Sequence, residues 1–486
     1  MWVGTDTGLL NVTRDGGAHW AQLPLPGVRP WSIISSIDLS STDPATAYVS
    51  VDGHRIDDFA PHILRTHDGG RTWQAITTGL SPDQVASVVR ADPMRPGLLY
   101  AGTETSAFVS FDDGDHWQPL RENLPTAWVR DLTVHGDDLV AATQGRAIWV
   151  LGDLALLRQV TPAIAAEPAH LFAPAAAYRV RFNNNRDTPL APETPVGENP
   201  PQGVIIDYWL GLAPKQPVAL EIRDPSGTVV RRFSSLVVPE RLPADRYFAE
   251  EWTRPQAVLA ATPGAHHWVW DLRAARPKAV EYSYSIAAVW GKDTPVLPEG
   301  QLVPPGRYIA VLTVNGEQQS QSFDVLPDPR VTNADYVAAA RFSFALYGSM
   351  AKAWTGYGET EAVRQRLAKR LPQLHGPALA AQGRALAASL EPRDLPNSGF
   401  AGESKALASL ETAAEGSDAA PSTGLQAIAA QTIAAIDADW DNWRRLKTSD
   451  LAALNHALAA AGLTPVTVPA EAELNPSLPA GGEDLP

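Results

Sequence analysis

Five ionisable residues crowd one short stretch of this sequence: Asp52, His54, Arg55, Asp57 and Asp58 fall within seven positions. Carboxylates beside a histidine and an arginine can orient or protonate a polar ligand. Two carboxyls about 5 Å or roughly 6.5–9.5 Å apart across a sugar linkage are the machinery of glycoside hydrolysis. Asp52, Asp57 and Asp58 are therefore candidate catalytic carboxyls, and Glu104, which also follows a strand-like run, is a fourth. The same stretch also reads, and more simply, as surface charges that pair among themselves, Arg55 with Asp57 or Asp58, and so fix a loop. Candidate ligand contacts are Trp31, Asp52, His54, Arg55, Trp128 and Arg146, the tryptophans as stacking platforms and the charged groups as polar readers.

The elements that must position these residues are repeats. Thr13-Arg14-Asp15-Gly16-Gly17-Ala18-His19-Trp20, Thr66-His67-Asp68-Gly69-Gly70-Arg71-Thr72-Trp73 and Ser110-Phe111-Asp112-Asp113-Gly114-Asp115-His116-Trp117 share one form, Ser or Thr, then Asp, Gly and Trp at fixed offsets. This is the Asp-box signature, and its recurrence matches the length of a four-stranded propeller blade. Asp15, Asp68 and Asp112 read as turn-builders that accept backbone N–H bonds, the glycines supply positive φ, and Trp20, Trp73 and Trp117 pack on the neighbouring blade. Strands fall at 33–39, 47–51, 63–66 and 73–76, and again at 85–90, 98–102, 108–110 and 117–120. The first repeat begins at a second strand and the fourth lacks a box and a fourth strand. Residues 1–155 thus read as a partial propeller of about three and a half blades, its missing half supplied in cis by a longer protein or by another chain.

Composition narrows the chemistry. The chain has 486 residues, 44% hydrophobic content, 15 Trp, no Cys and a net charge of −15. That balance argues against binding nucleic acid or an anionic membrane surface. Without cysteine there are no disulfides, thiolate zinc sites or thiol nucleophiles. The scattered histidines predict no metal site, and no cofactor fingerprint occurs. No apolar run is long enough to span a membrane, and Met1 leads straight into strand sequence with no signal peptide.

Residues 156–201, rich in Ala, Pro and Asn, read as a linker. Seven short alternating runs follow, at 204–210, 218–223, 229–233, 267–272, 282–289, 308–314 and 318–325, which predict an immunoglobulin-like β-sandwich over 202–328 with Trp268 and Trp270 in its core. Helical spacing then takes over, and 329–465 read as a bundle of five or six helices, with 466–486 as a disordered tail. The fold class is multidomain and mainly β, with a partial Asp-box β-propeller, an immunoglobulin-like sandwich and a C-terminal α-helical bundle.

These pieces in this order resemble a family. The boxed blades, Tyr48-Val49-Ser50-Val51-Asp52-Gly53-His54-Arg55-Ile56-Asp57-Asp58-Phe59, Gly145-Arg146-Ala147-Ile148-Trp149-Val150-Leu151, Gly197-Glu198-Asn199-Pro200-Pro201, Trp270-Asp271-Leu272-Arg273 and Pro305-Gly306-Arg307-Tyr308 are similar to large bacterial sortilin-like proteins with Asp-box (BNR) repeats, often labelled glycosyl hydrolases. The resemblance covers nearly the whole chain. It implies a periplasmic or extracellular protein, the C-terminal portion of a longer one, that binds a peptide or carbohydrate. The alternative it carries is a glycoside hydrolase whose carboxylate pair is completed by blades ahead of Met1.

Overall fold

The computed structural model describes residues 1–181, 194, 197, 200–236, 258–284, 296–390 and 398–474. The Asn183-Asn184-Asn185 run, most of the strand expected at 282–289 and the last part of the expected tail lie outside these residues. The chain forms two compact units, Met1–Ala175 with Asp207–Gly211, and Ala176–Ile206 with Leu212–Pro486.

The first unit is propeller-like, a succession of small antiparallel sheets. Strands β1 (Trp2–Gly4), β2 (Leu10–Val12) and β3 (Ala21–Leu23) make the first sheet; β4 (Ile33–Leu39), β5 (Ala47–Gly53), β6 (Asp58–Thr66) and β7 (Gln74–Ala75) make the second. The third holds β8 (Ala86–Ala91), β9 (Leu99–Thr103), β10 (Ala107–Ser110) and β11 (Gln118–Pro119); the fourth holds β12 (Trp128–His135), β13 (Asp138–Gln144) and β14 (Ile148–Leu151). An apolar cluster fills each interface between successive sheets. Leu10, Ile34 and Val49 share the first, Ile63, Val89, Leu99 and Trp117 the second, and Tyr100, Val129, Leu132 and Leu139 the third. Burial on both faces explains why β5 and β9 are continuous runs of apolar and small residues instead of alternating ones.

Close stacking selects small residues at one repeated position. Gly4, Ser50 and Gly102 pair with Leu10, Ile63 and Ala107 in matching registers. A Cβ on Gly102 would stand 2.7 Å from Val129 Cγ1 and equally close to Val88, while Ser50 Oγ donates to Ser87 O at 3.1 Å. Gly102→Ala is expected to force the third and fourth sheets apart and cost about 1–3 kcal/mol, measured by urea unfolding; an unchanged midpoint would show that the gap tolerates a methyl group.

The three box turns are built alike. Asp15, Asp68 and Asp112 accept the amides of His19, Thr72 and His116, each at 2.9 Å. The leading hydroxyl of Thr13, Thr66 or Ser110 donates to the Asp and accepts the amide of Gly17, Gly70 or Gly114. The Thr72 amide and hydroxyl hold the Asp68 carboxyl down at about 2. The tryptophans diverge. Trp117 is 3% exposed and its indole donates to Ile76 O at 2.8 Å, and Trp73 meets Trp2 edge-on at 6.0 Å. Trp20 is 46% exposed, contrary to the expected packing, because the first sheet has a described neighbouring sheet on one side alone.

The stretch read as a linker carries α1 (Ala155–Gln159), α2 (Pro162–Ala165), β15 (Ala169–Leu171) and β16 (Ala177–Arg179). Thr161 caps α2 through the amide of Ile164. Strand β17 (Val204–Leu210) follows, and Ala169–Leu171 pairs with its second half.

In the second unit β18 (Ala219–Arg223), β19 (Val229–Ser234), β20 (Gly264–Trp270), β21 (Ser283–Tyr284), β22 (Val296–Leu297), β23 (Gly306–Val314) and β24 (Glu317–Pro327) follow in order. One five-stranded sheet runs β16-β24-β23-β18-β19. Trp270, fully buried, meets Tyr308 and Phe323 edge-on. Among the described residues five helices follow: α3 (Tyr336–Arg370), α4 (Pro377–Ser389), α5 (Gly399–Ala414), α6 (Thr423–Thr448) and α7 (Asp450–Ala460). Asp335 and Ser422 cap α3 and α6 through the amides of Ala338 and Leu425. Helix α3 runs 35 residues without a break, and at Gly356 the absence of a side chain lets the Phe400 ring lie against its backbone. Val466, the first residue of the stretch expected as a tail, is buried in the helical core, and the Asn455 side chain bonds both its amide and its carbonyl.

Candidate functional site

The stretch from Asp52 to Asp58, read from sequence as a loop, is a tight hairpin end. Strand β5 runs on to Gly53, a single helical turn covers His54–Ile56, Asp57 takes φ 58°, and β6 starts at Asp58, with Gly53 and Asp58 facing each other. Its charges do not pair as expected. Among the described residues Arg55 makes no ion pair with Asp57 or Asp58. Instead Asp52, buried, accepts both the His54 amide at 2.9 Å and His54 Nδ1 at 2.5 Å. Because a carboxylate only accepts, Nδ1 carries the proton. Asp58 accepts from His62 Nε2 at 3.0 Å and pairs with Arg29 at 3.2 Å. Partial burial alone would raise the Asp58 carboxyl; the bonds from His62 and the Ala60 amide, with the Arg29 charge, outweigh it and hold the group below the ordinary range.

Trp128 joins the Asp52–His54 pair. Its ring meets His54 edge-on at 5.8 Å and its indole N–H donates to Ser87 Oγ at 2.5 Å. One face is covered by Arg130, whose guanidinium lies 4.3 Å from the ring centroid. Asp52, Glu104 and Gln144 occupy one repeated position, opposite Ile33, beside Val85 and opposite Trp128. Glu104 and Arg146 make no side-chain hydrogen bond or ion pair among the described residues; the Arg146 carbonyl accepts the Trp149 indole.

Trp31 is 67% exposed and held at φ 69°, its amide bonded to Thr7 O at 3.0 Å. Its loop is tied to the hairpin by Arg29, which donates to Ile56 O at 3.1 Å as well as pairing with Asp58. Phe59, beside Asp58, is half exposed. Sequence reasoning missed Arg29, Phe59, Ser87 and Arg130. A signal existed for Arg130: Val129 and Leu132, both buried in one strand, stand three apart, which strict alternation forbids without a bulge.

Among the described residues no group of three or more His, Asp or Glu is placed to hold a metal ion, and no helix is long and apolar enough to cross a membrane. No family model and no curated protein matches the chain in sequence. Solved structures similar to it include "YCF48 bound to D1 peptide", at 16% identity over 36% of this chain and 72% of that one, TM-score 0.22. The Niastella koreensis GH74 enzyme aligns at 12% identity over 67% of this chain and 43% of its own, TM-score 0.26. The GH74 xyloglucanase from Xanthomonas campestris aligns at 15% identity over 68% and 69%, TM-score 0.26. Likenesses this low say nothing of what the chain does.

Proposed function

We propose that this is a secreted or cell-envelope binding protein. An Asp-box propeller presents a ligand face for a peptide or glycan, and an immunoglobulin-like sandwich and helical bundle accompany it, as the resemblance to sortilin-like proteins implies. One observation carries the reading: Trp31 is both strained and exposed. A bulky residue at positive φ costs on the order of 1–3 kcal/mol, and such strain persists where a side chain must be displayed. His54, oriented by Asp52, supplies a directional polar contact on the same unit.

Hydrolysis fits less well. A general acid needs a carboxyl raised toward neutrality, whereas Asp58 is held low and Asp52 is committed to His54. Asp57 and Glu104 are the candidates left without an ion pair among the described residues.

Trp31→Gly separates display from structure. It is expected to abolish binding to whichever soluble polysaccharide or peptide of a screened panel the native chain retains, while raising stability by about 1–2 kcal/mol through relief of the left-handed backbone. Undiminished binding would sink the proposal.

A further inference from the structure

Strands β4, β8 and β12 each break register once, between Ile34 and Ser36, between Ala86 and Val88, and between Val129 and Asp131. The residues left over are Ser35, Ser87 and Arg130. A bulged residue leaves the ladder, and its side chain is re-aimed. The first two are used inside the unit. Ser35 Oγ lies 2.9 Å from Ser50 Oγ, and Ser87 Oγ accepts the Trp128 indole N–H. The third is a charge. Arg130 rests on the Trp128 face and has no ion-pair partner among the described residues. Neighbouring carboxylates are committed elsewhere, Asp131 to Arg90 at 2.8 Å and Asp52 to His54 at 2.5 Å.

We propose that Arg130, seated on Trp128 beside His54, is a recognition site for the carboxylate of a uronic-acid residue in a glycan. This rests on the reading of that end of the sheets as a ligand face. Arg130's planar fork matches a carboxylate, and the indole beneath removes water from one side of it, which strengthens the pairing. His54, edge-on to the same indole at 5.8 Å, adds a polar group whose Nε2 accepts from a sugar hydroxyl while Nδ1 is bonded to Asp52. The bulges favour a glycan over an extended peptide. Adding a peptide strand needs an unbroken row of backbone N–H and C=O groups, and each of these strands interrupts that row. The net charge of −15 does not exclude an anionic ligand, since charges beyond roughly 8–10 Å are largely screened in physiological salt.

The test is calorimetric titration of the full chain with oligomers of galacturonic and of glucuronic acid, each against its neutral methyl ester. At least one acidic oligomer is expected to bind more tightly than its ester. Arg130→Gln should weaken that acid by about 10- to 100-fold, the effect of one charged hydrogen-bond partner, and leave the ester unchanged. Arg130→Lys should fall between, keeping charge without the fork. An unaltered melting temperature in both variants assigns the loss to recognition. Equal affinity for acid and ester, or equal loss of both in Arg130→Gln, overturns the carboxylate site; if Trp31→Gly still abolishes binding then, the general ligand face stands. Failure of every uronate to bind, or preference for an aspartate-rich peptide, overturns the glycan assignment.

Discussion

Trp117→Ala is expected to destabilise the propeller-like unit by about 3–5 kcal/mol, while Trp20→Ala, the same residue of the same motif, changes stability by less than about 0.5 kcal/mol. Trp117 fills the interface between the second and third sheets beside Ile76, Val89 and Leu99, and its indole N–H is bonded to a backbone carbonyl there. Its removal leaves both a cavity and an orphaned acceptor. Trp20 is nearly half exposed, so truncation gives up little burial. At roughly 2–4 °C per kcal/mol for a unit of this size, Trp117→Ala should lower the first unit's calorimetric transition by roughly 6–20 °C. Similar shifts for the two variants would show that the box acts through its local turn alone.

Glu411→Gln is expected to stabilise the second unit at pH 8 and leave it unchanged near pH 4.5. Glu411 on α5 is fully buried; Tyr347 Oη donates to its Oε1 at 3.2 Å, and Oε2 has no hydrogen-bond partner. Burial, then the neighbouring Glu415 charge, push its carboxyl from 4.5 up to about 8; Glu299 adds to the rise, while Tyr347 and Arg273 oppose it. Arg273 is itself divided between Glu415 at 3.0 Å and Glu299 at 3.6 Å. The folded state therefore keeps a proton that the unfolded chain releases. Its contribution is fully present below about 4.5 and is lost as pH rises toward 8. Glutamine keeps the shape without the titration. The gain at pH 8 should be on the order of 4 kcal/mol, read from urea unfolding across pH. Parallel pH profiles for the two proteins would refute a proton held at Glu411.

Much of the architecture was legible because it is local. Box turns bond residues no more than four positions apart, so Thr13 to His19, Thr66 to Thr72 and Ser110 to His116 announce themselves by type and spacing. Strands β4 to β6 and β8 to β10 follow from apolar runs between turn residues, and the change to helical spacing near residue 330 marks the start of α3. The charged stretch at Asp52 is legible as a loop, but its bonding is not. Arg55 was expected to pair with its nearest acids, yet β5 and β6 register Gly53 against Asp58, and His54, His62 and Arg29 reach the carboxylates instead.

The sequence by itself thus determined the repeats, the turn chemistry, the mainly β character with a helical C-terminal region, and the stretch where ionisable groups gather. The tertiary structure alone decided which of three identical tryptophans is buried, which carboxylates are already engaged, and that Arg130 lies on Trp128. Arg130 stands only two residues from Trp128, and the break in strand register between Val129 and Asp131 sets it there; for the tryptophans and Glu411 the reason is distance along the chain. Trp117 and Trp128 each bond a partner 41 residues away, and Tyr347 and Glu411 meet across 64. Such contacts depend on sheet stacking, strand register and helix packing, which the spacing of residues along one segment does not encode.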